Sequence, residues 1–135
     1  RNPYERIVSH FLFRMKNKNR KDITFLNFLR MLMNSSRIDQ PIIPDNYDTW
    51  PMYTIDDEIA VDFIGKYENL FEDMEKICNR INIPFDVNSF PMAKKAEKKY
   101  NYRDFYGKEE RRIVEYLFKK EIDHFGYKFN SFTSN

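Results

Sequence analysis

Four stretches of this chain place apolar side chains three and four residues apart, while strand-like alternation is confined to one short segment. That spacing commits a segment to an amphipathic helix with one buried stripe. The first helix is predicted at about 3 to 17, with Tyr4, Ile7, Val8, Phe11 and Met15 on its stripe. Asn2 suits its N-cap and Pro3 its first helical position, and Glu5 is placed to reach back to the cap amide. Thr24 to Asn34 makes a second helix through Phe25, Leu26, Phe28, Leu29 and Met31. Glu68 to Asn82 makes a third through Leu70, Phe71, Met74, Ile77, Cys78 and Ile81, ended by Ile83-Pro84. Lys108 to Phe125 makes the last, with Ile113, Val114, Leu117, Phe118, Ile122 and Phe125 facing inward and Gly126 as its C-terminal stop. Between the second and third helices, "MYTIDDEIAVDFIG" reads as two short strands around a turn at Asp56-Asp57. Two long loops, 35 to 52 and 84 to 107, complete the chain, and the second is long enough to suggest a functional segment.

At 135 residues the chain makes one domain, and 41% hydrophobic with 17% aromatic residues excludes a disordered polymer. The charge is unevenly spread. Residues 1 to 21 carry seven Lys or Arg against Glu5 alone, a balance of +6; residues 45 to 76 carry ten acids against Lys66 and Lys76, a balance of −8. Residues 94 to 112 return to +4, with eight bases against four acids. Two basic segments that meet in space make a pocket for a polyanion, and two that do not are solvated faces. The lone Cys78 permits no internal disulfide and reads as apolar filler. No stretch approaches the roughly 20 apolar residues of a membrane span, and no signal peptide is recognisable. Gly65, Gly107 and Gly126 are too scattered to form a phosphate-cradling loop.

The opening "RNPYERIVSHF" raises a chemical question. Arg1 just before the cap, together with Ser9, could set a guanidinium and a hydroxyl near the free amides of a helix start, a combination that suits a phosphate. The alternative is an ordinary capped helix with basic surface residues. Arg6 reads equally as a ligand or as a salt-bridging arginine, and His10 as a structural or exposed residue.

Three segments carry a resemblance. "RNPYERIVSHF", "VDFIGKYENLFEDMEKICNRINIP" and "FYGKEERRIVEYLFKKEIDHFGYKF", in this order, resemble the C-terminal half of the carbohydrate sulfotransferase superfamily in its family 2 branch, over nearly the whole chain. The resemblance implies an α/β P-loop-like sulfotransferase fold, of which residues 1–135 are a single, mainly α-helical C-terminal fragment with one or two short strands. It implies transfer of a sulfuryl group from 3′-phosphoadenosine 5′-phosphosulfate (PAPS) to a hydroxyl of a carbohydrate, without a metal. In such enzymes an Arg-x-Pro turn and a Ser eight residues after the Arg hold the 3′-phosphate, and here these are Arg1 and Ser9. Arg6 and, in the basic loop before the closing helix, Lys98 and Lys99 are further candidates for the nucleotide, with Tyr100 beside them. That loop lacks the Asn-x-Ser element of its relatives. Glu68 and Asp73 are expected to be scaffold, and Trp50 and Tyr53 lie where relatives admit the acceptor.

The family's 5′-phosphosulfate loop and its acceptor base lie upstream of the Arg-x-Pro turn, so the isolated chain is expected to be inactive alone. The resemblance leaves the compartment open, a Golgi lumenal placement in eukaryotes and a cytoplasmic one in bacteria, and oligomeric state undetermined. Nucleic acid is not an expected partner. Two other readings stay open from composition: a noncatalytic polyanion-binding module that uses the basic faces interleaved with Tyr and Phe, and an inactive remnant.

Overall fold

The computed structural model describes residues 1–17, 22–34, 47–89 and 100–130. Helix α1 spans Pro3–Asn17, and its predicted stripe of Tyr4, Ile7, Val8, Phe11 and Met15 is buried. Helix α2, Phe25–Met33, is capped by Thr24, whose hydroxyl accepts the Asn27 N–H, and it buries Phe25, Phe28, Leu29 and Leu32. Helix α4 spans Lys108–Leu117 and adds Ile113 and Val114 to the same interior. The Glu110 carboxylate accepts the Gly107 N–H at 2.9 Å, closing the first turn of α4. A Cβ on Gly107 would lie 2.8 Å from that carboxylate, so a larger residue there would move the Glu110 side chain and loosen the cap. The core fills with packed rings: Phe11 tilted against Phe25 and Phe28 and edge-to-face with Phe105, and Tyr4 edge-to-face with Tyr106 and Phe129.

The closing helix differs from expectation. It is two helices, α4 and α5 (Lys119–Phe125), which meet at Phe118, where φ is −114° and ψ is 24°. The hydrogen-bond ladder continues across the join, from Phe118 N–H to Val114 and from Ile122 N–H to Phe118. Neither Gly nor Pro stands there to signal a bend. Phe118 is buried under the Arg6 guanidinium, 5.1 Å from its ring centre, so the join coincides with a tertiary contact. Gly126 takes φ 66° at the end of α5, as the sequence leads one to expect.

The middle of the chain is shallower. Strands β1 (Thr54–Ile55) and β2 (Glu58–Ile59) pair antiparallel with Thr54 opposite Ile59. Asp56 and Asp57 turn between them with φ of 50° and 67°, the left-handed pair that a two-residue hairpin demands. Asp57 ties the hairpin down by accepting the Trp50 indole N–H at 3.2 Å and the Lys120 ammonium. Helix α3, Leu70–Arg80, follows a 3₁₀ turn at Tyr67–Asn69 and is shorter than the predicted 68 to 82. Its expected apolar stripe is only half covered: Leu70, Met74, Ile77 and Cys78 are partly buried, while Phe71 and Ile81 are exposed. Its one fully buried side chain is Asp73. Within the second predicted loop, the described residues form 3₁₀ turns at Val87–Ser89 and Tyr102–Phe105.

Candidate functional site

The start of α1 is held by a residue far away in sequence. The Asn2 N–H donates to Glu68 Oε1, the Asn2 Oδ1 accepts the Tyr4 N–H at 3.1 Å, and the Asn2 carbonyl accepts the Glu5 and Arg6 amides at 3.1 and 2.9 Å. Pro3 has no N–H to offer. The amides of the first turn are therefore all engaged within the protein, which corrects the expectation that they are free for an anion. What remains for a ligand at this end is side chain. The Arg1 guanidinium lies 4.9 Å over the Tyr67 ring and 3.2 Å from the Glu5 carboxylate, and its buried Nε has no hydrogen-bond partner.

Arg1, Arg6 and Lys66 border a cleft of about 240 Å³ whose walls include Tyr53, Phe125 and Tyr127. Arg6 is its most tightly held member. Its Nη1 and Nη2 grip the two oxygens of Glu121 at 2.7 and 2.9 Å, and Nη1 also donates to Thr49 Oγ1 at 2.7 Å. Thr49 in turn donates its hydroxyl and its N–H to Glu121 Oε1, at 2.7 and 3.3 Å. Glu121 is 2% exposed and Arg6 8%, so each charge is desolvated and its compensation comes from the partner and this ring of bonds. The network clamps α1, the 47–49 segment and α5 together. The Arg6 Nε is left without a partner, as is that of Arg1. Buried guanidinium N–H groups without acceptors are rare enough to call for an explanation, and an anionic ligand supplies one.

Lys66 completes the charged rim. Its backbone N–H is fixed by Asp73 Oδ2 at 2.8 Å, and its ammonium lies 5.4 and 5.6 Å from the Phe125 and Tyr127 ring centres, donating to the Phe125 carbonyl at 3.3 Å. The backbone bond from Lys66, ahead of the Lys76 ammonium, holds the Asp73 carboxyl below its ordinary range. The titratable groups in and near the cleft respond to charges of both signs. Burial, and then the charges of Arg6, Arg14 and Arg1, lower the pKa of the half-buried His10. Burial followed by the Glu121 charge pushes the Tyr53 phenol up to about 12, and burial followed by Glu68 raises Tyr127, so both rings offer neutral hydroxyls.

Of the residues singled out from sequence, Arg1 and Arg6 meet at this cleft. Ser9 is half-buried on α1, eight residues and about 12 Å of helix rise from Arg1, and is not part of the cleft wall. Positions 1, 5 and 9 recur at four-residue steps, so Ser9 follows the side of the helix that carries the Arg1–Glu5 pair. Lys98 and Lys99 lie outside the described residues. Tyr102 and Tyr106 are packing residues, their hydroxyls donating to the carbonyls of Phe129 and Tyr4, and Tyr100 packs on Phe105. Trp50 is buried, edge-on to Tyr53 and His124, while Tyr53 faces the cleft. Glu68 and Asp73 brace the backbone around the site. Lys66, Thr49 and Glu121 were not foreseen: one lysine among many acids reads as a solvated charge, and no local pattern pairs position 6 with 121. Among the described residues no group of three His, Cys, Asp or Glu side chains is arranged to hold a metal ion, and no helix is long and apolar enough to cross a membrane.

Comparison with known proteins gives this geometry a context. The sequence profile of the sulfotransferase family matches residues 1–128. The chain is also similar to an uncharacterized protein of Archaeoglobus fulgidus, 27% identical over 88 residues that cover 65% of this chain and 68% of that protein. No solved structure matches.

Proposed function

The chain belongs to the sulfotransferase family, and from that premise we propose that the cleft at the start of α1 takes the 3′-phosphate of PAPS, in the service of sulfuryl transfer to a carbohydrate hydroxyl. The observation that carries this reading is the Arg1 guanidinium, half committed to Glu5 and with a buried Nε that lacks an acceptor, at the mouth of a cleft rimmed by two further cations. A 3′-phosphate presents several oxygens and close to two charges, which an arginine fork with unspent donors matches. The donor nucleotide, when bound, supplies the sulfuryl group. Arg1 would grip its 3′-phosphate by charge-assisted hydrogen bonds, whereas Ser9 stands outside the cleft wall and is a phosphate residue by family resemblance alone. Arg6, tied to Glu121, contributes field and rigidity, because its Nη donors are spent. Tyr53 and Tyr127 present neutral phenols to the cleft, beside the Glu121 carboxylate that Arg6 pairs.

Calorimetric titration with adenosine 3′,5′-bisphosphate tests the reading. Arg1→Met is expected to weaken binding by roughly 1–3 kcal/mol, the worth of a hydrogen bond to a charged group. Adenosine 5′-monophosphate should bind weakly and be indifferent to the substitution. Equal affinity of the Arg1→Met variant and the unmodified chain for the bisphosphate would overturn the reading.

A further inference from the structure

We propose that Lys66 is, with Arg1, a direct ligand of the phosphate-class anion that the cleft takes; the inference rests on the reading just given and extends it to a residue outside the Arg-x-Pro turn. Three observations carry it. The first is construction. The loop Gly65–Glu68 is bound to the start of α1 at two points, by Glu68 on the Asn2 N–H and by Tyr67 under the Arg1 guanidinium, so Lys66 and Arg1 are set by one local structure. Asp73, 7% exposed, fixes the Lys66 backbone from below by accepting its N–H. The other oxygen of Asp73 takes the Lys76 ammonium at 3.0 Å, so this one carboxylate ties the Lys66 backbone to α3.

The second observation is donor capacity. An ammonium has three N–H donors, and that of Lys66 has one weak bond, at 3.3 Å to the Phe125 carbonyl, besides the faces of Phe125 and Tyr127. A surface lysine would send its head to water. This one is half-buried with its charge held over two rings at the rim that it shares with Arg1. The third is position. Arg1 and Lys66 also border a neighbouring cleft of about 360 Å³, floored by Leu70, Met74 and Ile77, so the two cations stand at the junction between a polar recess and an apolar one. An anionic group at that junction meets both charges, and the apolar recess accepts the uncharged body attached to it. This is the arrangement suited to a phosphate monoester of a larger molecule rather than to free inorganic phosphate.

The test uses Lys66→Met, which keeps the aliphatic stem against Phe125 and Tyr127 but removes the charge, beside Lys66→Arg, which keeps the charge. With adenosine 3′,5′-bisphosphate as probe, the Met variant is expected to melt near the unmodified chain and to lose about ten-fold or more in affinity, while the Arg variant keeps most of it. Full affinity in a folded Met variant overturns the role of Lys66 and leaves the Arg1 site standing. No binding of the bisphosphate by the unmodified chain overturns both. Should the Met variant fail to fold, the Lys66 side-chain CεH₂ resonance of the unmodified chain decides: it shifts on titration with the bisphosphate if Lys66 is a ligand and stays fixed if it is not.

Discussion

The core of α1, α2 and α4 and the middle segment from β1 to α3 are built by different means. In the first, Phe28, Leu29, Val8 and Val114 are wholly buried and aromatic rings pack together, so cohesion comes from apolar area removed from water. In the second, no apolar residue of α3 is fully buried, and the shape is kept by a few polar ties: Asp73 on Lys66, Glu68 on Asn2, Asp57 on Trp50 and Lys120. The cleft lies where the two meet, with Arg1 and Arg6 from the core side and Lys66 from the other. A site at such a seam takes rigidity from one side and adjustable side chains from the other, which suits binding more than it suits stability.

The sharpest way to break the comparison is a matched pair of truncations. Phe28→Ala, in the core, should cost about 3–5 kcal/mol and depress the melting temperature steeply. Phe71→Ala, on exposed α3, should cost less than about 1 kcal/mol. Equal losses by thermal denaturation would mean that both halves share one apolar core. The next effect concerns the seam itself. Glu121→Gln leaves Arg6 charged and buried without its counter-ion, and should destabilise by about 3 kcal/mol, read from the denaturant midpoint. A near-neutral result would mean that water reaches Arg6 freely.

The smallest effect is a pH dependence. His10 has a folded pKa below its ordinary value of 6.5, because burial and then the arginine charges disfavour its cation. Above pH 6.5 it is neutral in folded and unfolded chains alike and contributes nothing. As pH falls below that value the unfolded chain binds a proton that the folded one resists, so stability declines until the folded pKa is reached. His10→Gln should flatten this slope. An unchanged slope between pH 5 and 7 would place the titrating group elsewhere.

Much of the helical frame was legible because its signals are local. Asn2-Pro3 marks the start of α1, Thr24 caps α2, Gly126 ends α5, and Asp56-Asp57 turns the hairpin; each states its backbone requirement in one or two residues. The bend at Phe118 was not legible, because it lacks a breaking residue and coincides with a contact to Arg6. Half-burial of α3 was equally hidden: periodicity says which face is apolar and is silent on whether anything covers it. Arg1 and Arg6 were legible as candidates from type and spacing, whereas the engagement of the first-turn amides depends on Glu68, 66 residues on from Asn2. Lys66 escaped notice for the same reason. Its meaning depends on what folds against it.

The most direct test of the account is to map adenosine 3′,5′-bisphosphate onto the unmodified chain by amide chemical shifts. The account predicts that the largest changes fall on Arg1 to Ser9 and on Gly65 to Tyr67, the two sides of one cleft. Changes that leave both stretches untouched and gather in the basic segment 94–112 or on the exposed face of α3 would contradict it.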